Sequence, residues 1–188
     1  MAGAKVDRQR LRRRQALERA MDAVASGALP PWAPELLDQP GLASRAFADP
    51  ESLFFHDHGE WVAGLGEAME RQGLAEACLA MARAMEEDRG HWLRRLALVE
   101  AEPRLRARRA LLELDYLTLF SAHFRRWGAA GVQGERVAEF EAASLLGAIQ
   151  GAQRLWLRGA GSPILPVLMN EALAVLWPAL YGHARRYS

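Results

Sequence analysis

The sequence predicts an all-α protein, and three observations lead to that class. Alanine, leucine, arginine and glutamate, which favour helices, dominate its 188 residues. β-branched residues are sparse, and no segment alternates apolar and polar residues with the period of two that a strand requires. We therefore expect helices throughout and no β-strand.

Apolar residues spaced three and four positions apart locate the helices. Glycine and proline set their boundaries. Gly27 and Gly73 each interrupt an apolar pattern, and Pro103 suits the first turn of a helix, where its missing N–H costs nothing. The helices expected on these grounds cover residues 10–25, 60–72, 74–85, 91–99, 103–127, 135–158 and 163–182.

Length and composition limit the organisation of the chain. At 188 residues it is long enough for one sizeable core or for a small N-terminal module packed on a larger domain. The single cysteine, Cys78, lies at helical spacing among apolar residues, which indicates a buried thiol in a reducing compartment. No apolar run approaches the roughly 18 residues that span a bilayer, so we expect a cytoplasmic protein with no membrane partner.

Charge is distributed unevenly over the first 60 residues. Residues 5–19 carry seven Lys and Arg against two Asp and Glu, which suits either an arm that follows phosphates or a solvated tail. Residues 20–60 reverse the balance, with Arg45 alone against seven Asp and Glu. Carboxylates near a phosphate backbone repel it, so this segment opposes DNA binding unless its acidic groups face away.

Residues 42–56, LASRAFADPESLFFH, indicate a short helix, a turn and a second short helix. They resemble the helix-turn-helix of TetR-family transcriptional regulators, with these positions in register: Leu42, Ala43, Ala46, Pro50, Ser52, Leu53 and His56. The departures are Phe47 for the turn glycine, Asp49 for the serine that caps the recognition helix, Phe54 for a tyrosine, Asp57 for a phenylalanine and Glu60 for a lysine. Residues 92–112 also resemble the middle of the family's ligand domains.

The resemblance implies an all-α homodimer with a helix-turn-helix DNA-binding domain over residues 1–59 and a ligand-binding and dimerisation domain over residues 60–188. In this family a small molecule in the second domain changes the separation of the two DNA-binding domains and so weakens operator binding. The recognition helix would cover residues 50–56, and the expected DNA contacts are Arg45, Pro50, Ser52, Phe54 and His56. The rings of Phe54 and Phe55 have a second interpretation, which is packing in the N-terminal core.

Two further sets of residues are expected in the second domain. Polar side chains and tryptophans on otherwise apolar helices indicate a small-molecule pocket, formed by Trp92, Asp115, Tyr116, His123, Trp127, Gln150 and Gln153, with Ser121 and Trp156 nearby. Small residues four positions apart let helices approach closely. The resemblance places the subunit interface on the last two helices, at Ala143, Gly147, Gly151, Leu173, Leu176 and Trp177. Packing within one subunit is the alternative explanation of the small residues.

The sequence contains no signature of catalysis or metal binding. His56 and His58 flank Asp57, but histidines two apart on a helix point to different faces, and no HxxxH or cysteine partner accompanies them. A Gly-rich phosphate loop and a nucleophile elbow are also missing. We therefore expect neither an enzyme nor a cofactor. A rival hypothesis, motivated by the acidic residues 20–60, Phe47 and Glu60, is a TetR-like protein that has lost DNA binding and binds a small molecule or a protein partner.

Overall fold

The computed structural model describes residues 2–38, 47–128 and 130–182, with the backbone alone described at 2–8, 10, 127 and 177–182. Every regular element in those ranges is helical, which confirms the predicted all-α class. The α-helices are α1 (Ala2–Ala25), α2 (His58–Gln72), α3 (Leu74–Glu87), α4 (Arg89–Ala101), α5 (Pro103–Trp127), α6 (Val132–Arg158) and α7 (Leu165–Gly182). Two 3₁₀-helices, Pro34–Leu36 and Pro50–Phe55, come between α1 and α2 in the chain.

Four helices begin earlier than the apolar pattern predicted: α2 and α4 by two residues, at His58 and Arg89, and α1 and α6 by more. α1 starts at Ala2 rather than at residue 10, because Ala, Lys, Arg and Gln extend a helix beyond its apolar stripe. α6 starts at Val132 rather than at residue 135, directly after Gly131, whose φ of 90° only glycine adopts readily. Among the helices of the described residues, none is long and apolar enough to cross a bilayer.

The chain forms two compact units. Unit 1 contains Met1–Gly59 and Arg94–Leu111, and unit 2 contains Glu60–Leu93 and Leu112–Ser188. Helices α4 and α5 therefore each contribute residues to both units. The N-terminal domain expected from the sequence, residues 1–59, lacks the second segment of unit 1, because spacing along the chain does not show which distant helix completes a core.

The core of unit 1 combines the buried stripe of α1 with apolar residues from four other segments. Leu17, Ala20, Met21 and Val24 lie at helical spacing on one side of α1. They share one apolar cluster with Leu36 and Leu53 from the two 3₁₀-helices, with Phe54, with Val99 from α4 and with Leu105 from α5. Helices of both chain segments therefore contribute to the same core.

Unit 2 is a helical assembly in which α7 packs against both α6 and α3. Its largest fully buried side chains are Trp156, Phe120, Leu145, Leu165 and Met169. Cys78 of α3 is also buried, as predicted, and this burial raises the pKa of its thiol to about 12. The thiol is therefore protonated at neutral pH and unreactive.

The boundary between α2 and α3 depends on glycine. Gly73 has φ 83° and ψ 165°, a conformation that residues with a Cβ avoid. We expect Gly73→Ala to lower the free energy of unfolding by about 1–3 kcal/mol. Gly64→Ala is the control, because Gly64 lies inside α2 with nothing within 4 Å of an added Cβ, and it should raise stability by about 0.5–1 kcal/mol. Urea denaturation of both variants measures the difference, and equal effects would contradict this account.

Candidate functional site

The segment expected to contact DNA is a 3₁₀-helix rather than an α-helix. Asp49 caps it: its carboxylate accepts a hydrogen bond from the backbone N–H of Ser52 at 2.7 Å and one from the Ser52 hydroxyl at 2.6 Å. Pro50 occupies the first turn, where no N–H is needed. Asp49 thus performs the capping that the resemblance assigned to a serine.

Phe54 is not a DNA contact. Its side chain is 0% exposed and belongs to the core of unit 1, and Leu53 beside it is equally buried. Phe55 packs against the same core but is only partly buried. Of the two interpretations of this aromatic pair, core packing is therefore correct for Phe54. Arg45 lies outside the described residues, as do Leu42, Ala43 and Ala46.

His56 ends the 3₁₀-helix and faces inward in part. Its Nδ1 lies 3.1 Å from the carbonyl oxygen of Leu53, where it donates a hydrogen bond in the corresponding tautomer. Burial lowers the pKa of His56 below its ordinary value, although the neighbouring carboxylate of Asp57 acts in the opposite direction. The ring is therefore neutral at pH 7, and its geometry fits a structural role.

Arg95 of α4 makes the most buried polar contact of unit 1. Its Nε donates to the carbonyl oxygen of Phe54 at 2.7 Å. Its two terminal nitrogens donate to both carboxylate oxygens of Asp57, at 2.9 and 2.6 Å. Arg95 is 5% exposed, so the pair lies largely out of water. Burial by itself would raise the pKa of Asp57, but the hydrogen bonds and charge of Arg95 outweigh it and hold that pKa at about 2.

Further arginines from residues 94–111 pair with acidic side chains in the first 59 residues. Arg94 binds Glu18 at 3.1 Å and Asp22 at 2.6 Å. Arg104 lies 3.4 Å from Glu51, and its guanidinium is 4.8 Å from the centre of the Trp32 ring. These ion pairs are more exposed than that of Arg95. The arginines thus place a cation beside three of the seven acidic groups within residues 20–60, namely Asp22, Glu51 and Asp57.

The net charge of unit 1 is opposite in sign to that of residues 20–60. Unit 1 as a whole carries 14 Lys and Arg against 10 Asp and Glu, a formal charge of +4, whereas unit 2 carries 10 against 13, a charge of −3. On α1, Arg12 and Arg19 are exposed and two helical turns apart. Lys5 and Arg8 precede Arg12 by seven and four residues, spacings that continue this row along the helix.

The residues expected in a ligand pocket lie on α4, α5 and α6. Trp92 meets Trp61 edge to face with ring centroids 5.2 Å apart, Tyr116 stacks on Phe120 at 6.3 Å, and the amide of Gln153 is 3.7 Å from the sulfur of Met85. Burial lowers the pKa of His123, which contacts Phe124. Gln150 is half-buried, whereas Asp115 is exposed and does not line an interior site, a correction to the sequence prediction. The side chain of Trp127 is not among those that the structure describes.

The indole N–H of Trp156 in α6 is a buried polar group. The side chain of Trp156 is 0% exposed, and its indole N–H has no hydrogen-bond acceptor among the residues that the structure describes. A buried donor without an acceptor is unfavourable by about 1–3 kcal/mol. Such a group is suited to meet an acceptor on a bound molecule.

The residues expected at a subunit interface divide into two groups. Ala143 and Gly147 are exposed, and Gly151 is half-buried with open space around the position of a Cβ. Leu173 is only 4% exposed because it packs inside unit 2, so the single chain already buries it and it is not available to a partner. Leu176 is half-buried, and the side chain of Trp177 lies outside the description.

Comparison with known proteins does not assign a family. No family model, curated protein or solved structure matches the chain. Among the residues that the structure describes, no three His, Cys, Asp or Glu side chains are grouped as a metal site would require. The arginine pairs were not found from the sequence, although the arginine-rich start of α5 was visible there.

Removing Arg95 should destabilise the protein more than removing its neighbour. Arg95→Met removes the guanidinium hydrogen bonds to the carboxylate of Asp57 and to the carbonyl of Phe54, and we expect the free energy of unfolding to fall by about 3–5 kcal/mol. Arg94→Met is the matched control, since its ion pairs are exposed, and should lose at most about 1 kcal/mol. Urea denaturation followed by circular dichroism measures both. Similar losses would show that the buried contact of Arg95 is not special.

The same contact predicts a dependence of stability on acid. The folded-state pKa of Asp57 is about 2, against an ordinary value of 3.8, so the unfolded chain takes up this proton first as the pH falls. The stabilisation is present above about pH 4 and lost towards pH 2, by about 2 kcal/mol in all. Asp57→Asn should flatten this part of the stability curve, whereas Asp22→Asn, which changes an exposed carboxylate, should keep it. An unchanged slope in Asp57→Asn would refute the assignment.

Proposed function

We propose that the protein is a TetR-like, homodimeric DNA-binding regulator that a small molecule releases from its operator. The supporting observation is the pairing of Asp22, Glu51 and Asp57 with arginines of residues 94–111. The acidic groups of the N-terminal segment were the main electrostatic argument against DNA. Three of these acidic groups are paired with arginines of the same unit. Unit 1 as a whole carries a formal charge of +4, which favours an anionic partner.

The basic row of α1 is the surface that we assign to phosphate contact. Arg12 and Arg19 are exposed and lie outside the buried stripe of α1, and the sequence places Lys5 and Arg8 at helical spacing before them. Contacts of this kind give affinity and register without reading bases. Base contacts would fall to the half-buried Pro50 and Ser52 at the start of the Pro50–Phe55 3₁₀-helix, and a two-fold dimer would address half-sites about 34–36 Å apart.

Unit 2 is the proposed ligand domain. The buried indole N–H of Trp156, for which the described residues supply no acceptor, supports a ligand that carries a hydrogen-bond acceptor. Helices α4 and α5 contribute to both units, so a ligand that shifts α4 would also move Arg95, which contacts Phe54, and one that shifts α5 would also move Arg104, which contacts Glu51. The resulting change in operator affinity is limited by the ligand's differential affinity for the two conformations.

A selection from sheared genomic DNA of the source organism tests the proposal. We expect enrichment of a palindromic fragment whose binding weakens steeply with salt. Arg12→Ala combined with Arg19→Ala should weaken binding to all sequences alike and reduce the salt slope by about 4, because each of the four altered arginines in the dimer would neutralise one phosphate. Arg71→Ala combined with Arg83→Ala, which removes two exposed arginines of unit 2, is the matched control and should leave binding unchanged.

A second candidate function is a TetR-like protein that binds a small molecule or protein partner without DNA. The burial of Phe54 and the 3₁₀ geometry of residues 50–55 favour it, because both remove surface that a recognition helix would present. This candidate would be established over the first if no DNA fragment is enriched at low salt and if the variant with Arg12→Ala and Arg19→Ala binds DNA no differently from the unaltered protein.

A further inference from the structure

Trp32 lies exposed on a turn of unit 1 whose neighbouring residues are fixed. Pro31 and Ala33, on either side of it, are buried, and the backbone N–H of Ala33 donates to the carbonyl oxygen of Pro30 at 2.9 Å. Trp32 itself is 44% exposed, a high value for so large an aromatic side chain. Because the turn is already ordered, a partner can cover the ring with little loss of conformational entropy. The ring is therefore well placed to contact a partner.

Two arginines of α5 lie beside this ring and beside the Pro50–Phe55 3₁₀-helix. The guanidinium of Arg104 is 4.8 Å from the centre of the Trp32 ring, and its Nη1 is 3.4 Å from the carboxylate of Glu51. Arg108 follows one turn later on the same side of α5, and its Nη2 is 3.4 Å from the hydroxyl of Ser52. Both distances exceed the roughly 2.7–2.9 Å of a strong charged hydrogen bond. Neither arginine is therefore held firmly by the acceptor that it faces.

The guanidinium of Arg108 also has a buried donor that no acceptor satisfies. Within the described part of the chain, nothing accepts a hydrogen bond from its Nε. Nε and Nη2 together form an edge of the guanidinium that can bind a phosphate through two parallel hydrogen bonds. In this structure Nη2 has only the long contact to Ser52, and Nε has no acceptor among the described residues. This edge is suited to an anion.

The surroundings of the two arginines indicate which anion fits. Residues 103–111 contain four arginines and no Asp or Glu, so the start of α5 attracts negative charge. An aromatic ring beside cations suits a nucleic-acid strand, in which apolar sugar faces alternate with phosphates. Glu51 and Ser52, which the arginines face, belong to the 3₁₀-helix whose start we assign to base contacts. A DNA strand beside that segment would therefore pass these side chains.

We propose that Trp32, Arg104 and Arg108 bind the sugar–phosphate backbone of duplex DNA beside the segment that contacts bases. Arg104 approaches Glu51 through Nη1, so its Nη2 and Nε can donate to a phosphate oxygen. Arg108 releases the Ser52 hydroxyl and turns its two-donor edge to a neighbouring phosphate, while the Trp32 ring packs on a deoxyribose. These contacts rest on the proposed function, and they add to it a site outside α1 and outside the segment that resembles a helix-turn-helix.

The salt dependence of DNA binding tests the arginine contact. In a dimer, Arg104→Ala removes two phosphate contacts and should reduce the salt slope by about 2. Arg106→Ala is the matched control: it removes the same charge from an exposed position of α5, but residue 106 lies roughly 160° around the helix from residue 104. It should leave the slope unchanged. Fluorescence anisotropy between about 50 and 200 mM salt measures both variants on the selected fragment and on an unrelated duplex.

Hydroxyl-radical footprinting tests the aromatic contact. Trp32→Ala should lose the protection of a sugar in each half-site and should weaken binding on the order of tenfold. Its salt slope should not change, because the ring carries no charge. Phe140→Ala is the control, since it removes a 73% exposed aromatic ring from unit 2 and should leave the footprint intact. Urea denaturation of each variant verifies that it is folded before its binding is compared.

The outcomes separate this site from the proposed function. Equal salt slopes for Arg104→Ala and Arg106→Ala, or an unchanged footprint in Trp32→Ala, would overturn the backbone contact while DNA binding by the unaltered protein still supports the regulator. If the unaltered protein binds neither the selected fragment nor an unrelated duplex at low salt, the regulator and the backbone contact both fall.

Discussion

The conformation of unit 1 depends on the guanidinium of Arg95. A 3₁₀-helix has poor internal hydrogen-bond geometry and is seldom stable by itself, so the Pro50–Phe55 segment needs contacts at both ends. Asp49 supplies one at its start, and Arg95 supplies the other by donating to the carbonyl of Phe54 and to the carboxylate of Asp57. These bonds compensate for burying a charge, which would otherwise be costly. A residue of α4 thereby fixes a segment nearly forty positions earlier in the chain.

The charge of residues 20–60, counted along the chain, differs in sign from the charge of the folded unit that contains most of them. Counted in order, residues 20–60 are strongly acidic, and that count argues against a nucleic-acid partner. In the folded unit, arginines from α4 and α5 lie against those acidic groups, so the groups serve to attach the N-terminal segment. Arg12, Arg14 and Arg19 of α1 remain exposed. Electrostatic arguments about binding therefore apply to the unit rather than to the segment.

Local patterns predicted the helices, and long-range contacts account for what was missed. Gly27, Gly73 and Pro103 correctly marked the end of α1, the break between α2 and α3 and the start of α5, because these effects act within a few residues. Apolar spacing alone placed the starts of α1 and α6 too late. The 3₁₀ segment at residues 50–55 is bonded at its end by Arg95, a contact between distant positions that no local pattern shows. Sequence also cannot tell which of Phe54 and Phe55 turns inward. Leu173 was expected at an interface and is buried in its own unit, since both environments select the same apolar residue.

Unit 1 is formed by two separate segments of the chain, and this affects how it folds during synthesis. Val99 and Leu105 belong to the same apolar cluster as Leu17 and Phe54. On the ribosome, the first 59 residues emerge well before those two partners, and their apolar surface stays incomplete until α5 has been synthesised. An excised N-terminal fragment would keep that surface exposed and would be prone to aggregate. The N-terminal region is therefore not a portable module: it can be transferred to another protein only together with residues 94–111.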